Sequence, residues 1–165
     1  MKEMDAREAE RLVNTYSDLI LRLSWTYLKS TQDGEDICQT VLLKLLTGEE
    51  AFESPEHERA WVIRTTVNAC KDELRAFRRR AVPLDALAEA AAPELPRSEV
   101  LDAVMALPVK YREAVYLFYY EGYAVKEIAA LTGRSEAAVS AHLSRGRNRL
   151  RTMLGGDGYE AREIR

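Results

Sequence analysis

No run of the chain approaches the roughly 20 consecutive apolar residues that a membrane-spanning helix needs. Its N-terminus also lacks the charged, apolar, small-residue order of an export signal. A cytoplasmic protein is the expectation. Cysteine is nearly absent: Cys38 and Cys70 lie far apart in apolar helical patterns, with no CxxC partner and no nearby histidine. They read as small buried hydrophobes rather than as a disulfide or a zinc site. The two histidines, His57 and His142, fall in different halves of the chain, and there is no glycine-rich phosphate loop and no metal-ligand cluster. No catalytic constellation is left, so the expectation is a protein that is not an enzyme and takes no metal, cofactor or small-molecule substrate. No segment alternates with the strand period, which leaves an all-α fold.

Charge is present, and it is segregated. The net charge is −3, wrong in sign for a nucleic-acid binder until it is split along the sequence. Residues 1–57 hold 6 basic and 12 acidic side chains, residues 58–80 hold 7 and 3, residues 81–100 hold 1 and 4, and residues 134–151 hold 5 and 1. Two basic islands therefore sit in an acidic chain. The stretch 81–98, with Pro83, Pro93 and Pro96 around alanine-rich sequence, reads as a flexible or partly helical linker. It separates an N-terminal helical domain, 1–80, from a C-terminal one, 99–154, and residues 155–165 read as a mobile tail that begins with a glycine stop.

In the first domain Leu12, Tyr16, Leu19, Leu23 and Tyr27 follow helical spacing, as do Ile37, Val41, Leu42, Leu45 and Leu46. Between the two helices Asp33, Glu35 and Asp36 crowd a helix start, where two readings stand: carboxylates that cap the helix and complement its dipole, or a functional role. A third helix, 58–80, carries an apolar stripe of Ile63, Val67, Cys70, Leu74 and Phe77. About 100° around it run Arg64, Asn68, Lys71 and Arg75, joined by Arg78 and Arg79. Trp61 lies off the apolar stripe. Two readings stand for it: an indole for stacking an unpaired base beside a tracked backbone, or a packing contact within the bundle with the arginines solvated.

The second domain reads as four short helices, with Pro108 starting the second, Gly122 ending it, and Gly133 in a tight turn between the last two. Residues 116–120, YLFYY, read as core. Ile128, Ala129, Gly133, Val139 and Leu143 stand at the offsets of a helix-turn-helix, in which a small residue lets the second helix cross closely and glycine suits a left-handed turn. On the last helix Val139, Leu143, Gly146, Leu150 and Met153 share the inner face. Glu136, Ala137, Ser140, Ala141, Ser144, Arg145, Asn148 and Arg151 then point away. Ser135 is placed to cap this helix, and Arg145, Arg147, Arg149 and Arg151 surround its later turns, suited to phosphate. Ala and Ser at the groove floor cannot form bidentate base pairs, so this helix alone is a weak reader.

Three motifs in this order resemble a known family, the bacterial RNA polymerase sigma factors of the extracytoplasmic-function (ECF) class, over about residues 8–154. "DGEDICQTVLLKLL" is similar to the family's helix that docks on core polymerase, which implies Asp36, Gln39, Leu42 and Leu43 as contacts. "ERAWVIRTTVNACKDELRAFRRR" is similar to the helix that opens and reads the downstream promoter element. That implies Trp61, Arg64, Asn68, Lys71, Arg75, Arg78 and Arg79 as contacts to the unwound strand, and it places base capture in the loop 47–58. "YAVKEIAALTGRSEAAVSAHLSRGRNRLR" is similar to the helix-turn-helix of the upstream element, implying Arg134, Ser135, Glu136, Ala137, Ser140, Ala141, Ser144, Arg145, Arg147 and Arg151. Where many relatives carry Lys and Arg, this chain has Ser140 and His142. The partners implied are core RNA polymerase, promoter DNA and an anti-sigma protein. The rival reading is a helix-turn-helix regulator that binds an operator as a dimer; it leaves the "GEDICQ" helix without a role.

Overall fold

A computed structural model describes residues 4–79 and 98–155. The expected linker, apart from Ser98, and the expected tail, apart from Gly155, lie outside them. Every regular element among the described residues is helical, and these fall into two compact units, one formed by α1–α3 and the other by α4–α7.

The first unit is a three-helix bundle. α1 (Ala6–Leu28) starts at Asp5, whose carboxylate accepts the Glu8 amide at 2.7 Å. Its stripe of Leu12, Tyr16, Leu19, Leu23 and Tyr27 is buried. α2 (Thr31–Thr47) is capped by Ser30, whose hydroxyl accepts the Asp33 amide at 3.2 Å. The cap expected from the carboxylates is therefore a serine, because Ser30 is the residue still in extended backbone when the helix begins. Asp33 remains in the first turn as a dipole partner. Ile37, Val41 and Leu45 are buried, while Leu42 and Leu46 are half-buried.

α3 (Pro55–Arg79) begins three residues before its expected start. Proline fits a first helical turn, and the Ser54 hydroxyl accepts the His57 amide at 3.1 Å. Ile63, Val67, Cys70, Leu74 and Phe77 are all buried, each large one stabilising the bundle by roughly 1.5–3 kcal/mol. Both cysteines are free and buried, and desolvation pushes the Cys70 thiol up to about 12. At the head of α3, the buried Glu58 accepts the Tyr16 hydroxyl at 2.6 Å and two Arg11 N–H groups at 3.1 and 2.9 Å, tying α3 to α1.

In the second unit α4 (Glu99–Met105) is capped by Ser98, and Pro108 precedes α5 (Val109–Val115). α5 runs into a wider turn, Tyr116–Tyr120, and Gly122 follows at φ 78°. α6 (Val125–Thr132) ends at Gly133, in left-handed backbone at φ 70° as its turn requires. α7 (Glu136–Met153) has 18 residues and so is not short as expected. Tyr116, Leu117 and Tyr119 are buried, with Phe118 and Tyr120 half-buried.

Val139, Leu143, Gly146 and Leu150 form the inner face of α7, but Met153 is 44% exposed. The helix has by then run past the core it packs on. At Gly146 the helix lies so close to α5 that a Cβ would meet Val115 Cγ2 at 2.9 Å and Tyr111 Cβ at 3.5 Å.

Candidate nucleic-acid interface

The exposed side of α3 is a single stripe. At 100° per residue His57, Trp61, Arg64, Asn68, Lys71 and Arg75 follow one another at spacings of three and four, with Arg78 and Arg79 at the end. Arg64, Asn68, Arg75, Arg78 and Arg79 are exposed, and Lys71 is half-buried. Arg75 is paired with Asp72 one turn back. Trp61 is half-buried, which is neither of the two extremes open at the sequence level. Its indole meets the Phe52 ring edge-on at 5.8 Å, and Phe52 meets the His57 ring at 5.4 Å. His57 Nδ1 in turn accepts the Glu53 amide at 3.1 Å, fixing the loop that carries Phe52. An aromatic group of three rings thus stands at the head of a basic stripe.

Phe52 and His57 escaped the sequence reading. His57 and Trp61 stand four apart on one helical face, and that spacing was a usable signal. Phe52 lies in a loop, where no periodicity points to a side.

On α2, Asp36, Gln39 and Leu43 share an outward face at spacings of three and four, and Leu43 is 62% exposed. Leu42 stands to one side, half-buried. Leu43, one turn beyond the amide and two beyond the acid, is thus an uncovered surface leucine with polar neighbours and not a core residue.

The outward face of α7 carries Glu136, Ala137, Ser140, Ser144, Arg145, Asn148 and Arg151, all exposed, with Ala141 half-buried. Ser135 caps the helix, its hydroxyl accepting the Ala138 amide at 3.0 Å. Four arginines here have partners inside the protein. Arg134 Nε donates to Glu113 at 2.8 Å, and the side chain of that glutamate is 1% exposed. Arg147 Nε donates to the Tyr119 hydroxyl at 2.6 Å. Arg149 lies over the Tyr111 ring at 5.2 Å, and Arg151 donates to Asn148 at 3.3 Å.

His142 faces inward. It is buried against Tyr111, with ring centroids 5.6 Å apart. Burial, then the charges of Arg134 and Lys110, holds its pKa below the ordinary histidine value. It is a neutral packing residue and offers no cation to the outer face.

Paired helices at the second unit's end, presenting a capped helix N-terminus and a rim of arginines, define a DNA-binding transcription factor of the helix-turn-helix kind. Comparison with known proteins narrows this. Residues 12–80 match the family described as Sigma-70 region 2, and residues 97–150 match Sigma-70, region 4. The RNA polymerase sigma factor CarQ of Myxococcus xanthus is 33% identical over 131 residues, covering 74% of this chain and 75% of the relative. The ECF RNA polymerase sigma factor SigM of Mycobacterium tuberculosis is 29% identical over 150 residues, covering 88% and 76%. Among solved structures, the sigma factor RpoE of Bartonella quintana, crystallised with the anti-sigma factor NepR, shares the fold. Its TM-score is 0.72 at 20% identity, over 92% of this chain and 99% of that one. The chain belongs to the ECF class of RNA polymerase sigma factors, which direct promoter recognition in transcription initiation.

Among the described residues no helix is long and apolar enough to cross a membrane.

Proposed function

We propose that this sigma factor works by docking on core RNA polymerase through the outward face of α2 and by holding two weak DNA readers in one assembly. Asp36, Gln39, Leu42 and Leu43 make the polymerase contact. The exposure of Leu43 on the same face as Asp36 and Gln39 supports this reading most directly.

The domain spanning 1–80 then takes the downstream element. Arg64, Asn68, Lys71, Arg75, Arg78 and Arg79 track the backbone of the unwound strand, and an unstacked base lies against Trp61. Phe52 and His57 brace that indole from the loop side, and the edge-to-face geometry of the three rings supports this assignment. The domain spanning 99–154 takes the upstream element. Ser135, Glu136, Ala137, Ser140, Ala141 and Ser144 face the groove, while Arg134, Arg145, Arg147 and Arg151 face phosphate.

The groove-facing side chains of α7 are mostly Ala and Ser, which make no bidentate base contacts, so selectivity comes from linking the two readers: each raises the effective concentration of the other on one promoter. The factor acts in the cytoplasm without chemistry of its own. An anti-sigma protein that covers the α2 and α7 faces holds it inactive, a reading supported by the similar fold of a sigma factor solved with such a partner.

The test is run-off transcription with purified core polymerase on genomic fragments, alongside a gel-shift of the free protein. The expected outcome is a discrete start site with core and little duplex binding without it. Tight, sequence-specific duplex binding by the free protein, or unchanged polymerase binding after Asp36→Ala with Gln39→Ala, would overturn the docking account.

A further inference from the structure

The turn Tyr116–Tyr120 departs from α geometry. The Glu121 amide reaches back five residues to the Tyr116 carbonyl at 3.2 Å, and the Tyr123 amide donates to the Leu117 carbonyl at 3.0 Å. A five-residue closure accommodates one residue more than an α turn, which rotates everything after it by about 100° relative to an uninterrupted helix. Such turns are rare, and they occur frequently at functional sites.

Within the turn, Phe118 and Tyr119 are the side chains that meet Arg147 on α7. Tyr119 is buried, and its hydroxyl accepts the Arg147 Nε–H at 2.6 Å. The guanidinium carbon stands 5.8 Å from the Phe118 centroid and 5.7 Å from that of Tyr119. The two rings brace each other edge-to-face at 4.8 Å. A guanidinium has five N–H donors, and this grip uses the inner one, leaving the four on the terminal amino groups. By helical rotation Arg147 lies at the flank of α7 beside Ser140, Ser144 and Arg151, a position from which it reaches backbone rather than base edges.

We propose that Tyr119, supported by Phe118, is a positioning residue for promoter binding. The π turn holds the Arg147 guanidinium in one orientation, with its terminal amino groups presented to a backbone phosphate beside the upstream element. This rests on the assignment of α7 to that element. An arginine ordered before binding loses less rotamer freedom on contact, and its fork matches two phosphate oxygens at once. Arg145, without a ring beneath it among the described residues, serves as a looser counter-charge.

The rival account is that Arg147 only staples α7 to the turn. Tyr119→Phe separates the two, because it removes one oxygen and leaves the ring and every charge in place. The measurement is the salt dependence of promoter binding by the full chain with core polymerase, between about 50 and 200 mM salt, on the fragment mapped by run-off transcription. Arg147→Gln is expected to make the slope of log K against log salt shallower by about 0.9, the loss of one phosphate contact. Tyr119→Phe is expected to weaken binding about 3- to 10-fold with part of that slope change, because the freed arginine still carries its charge. Arg147→Lys should not restore binding, since lysine has no Nε–H for the phenol and no fork. Tyr119→Phe combined with Arg147→Gln should be no worse than Arg147→Gln alone.

Both single variants lowering the melting temperature while affinity and slope stay at wild-type values would overturn the proposal in favour of the staple. Wild-type binding that does not change when the upstream element is scrambled would overturn the α7 assignment itself, and the proposal with it.

Discussion

Glu58 shows how one residue can couple two helices and a pH range. Desolvation acts to raise its pKa, but the hydrogen bonds from Arg11 and Tyr16 outweigh that, and the net displacement is downward from 4.5. A carboxylate held below its unfolded value contributes stability that is complete above the unfolded pKa and is lost as the pH falls through the folded one. Thermal unfolding of the wild type should therefore weaken more steeply below about pH 4.5 than that of Glu58→Gln, which keeps an acceptor but cannot titrate. Glu58→Ala should cost about 1–3 kcal/mol in urea unfolding at neutral pH, because the buried Tyr16 hydroxyl loses its acceptor. Arg11, 45% exposed, recovers water and adds little to that figure.

α7 lies close against α5 at Gly146, where a methyl group already crowds the space a side chain would need. Gly146→Val should destabilise the protein by about 1–3 kcal/mol or more, read by urea or thermal unfolding, since β-branching cannot turn away from Val115. A much smaller effect would mean that α5 and α7 separate easily. Helix interiors ordinarily gain from replacing glycine, so a loss here isolates the packing term.

At this scale the sequence was informative wherever periodicity alone decides burial. The stripe from Ile63 to Phe77 and the crossing residues Ile128, Val139 and Leu143 are where their spacing puts them. Spacing failed in three recognisable ways. Met153 keeps the inner phase of α7 but lies beyond the core, because a pattern carries no information on where the partner helix stops. Phe52 is placed by a loop, which has no phase. Arg147 was legible as a cation but not as a held one, because the π turn that brings Tyr119 to it breaks the period on which the reading depends.

Across the molecule, the acidic first 57 residues and the basic stripe of α3 belong to one unit, so a single bundle presents opposite charge on different helices. An acidic chain can thus act on DNA when the attraction is local and the polymerase contact is elsewhere. The aromatic group at Trp61 gives this division of labour a test. If the indole traps an unstacked base, Trp61→Ala should reduce open-complex formation on duplex promoter about 5- to 150-fold, the equivalent of about 1–3 kcal/mol of stacking. On a template already unpaired across the downstream element, the cost of unstacking has been removed. The defect should shrink there, as measured by permanganate reactivity or abortive transcript yield. An equal defect on both templates would assign Trp61 to folding or polymerase binding instead.

The buried thiols have a consequence of another kind. With Cys38 and Cys70 both inside the first bundle, and burial pushing both thiols upward, neither presents a thiolate to an oxidant. An oxidant acting on either thiol has to wait for the bundle to open. The same seclusion makes the cysteines an internal clock: an alkylating reagent reacts only while the bundle is open, so labelling rates count its openings. Comparing those rates for the free factor and for the factor on polymerase would show how far its partner, rather than its own sequence, keeps the bundle closed.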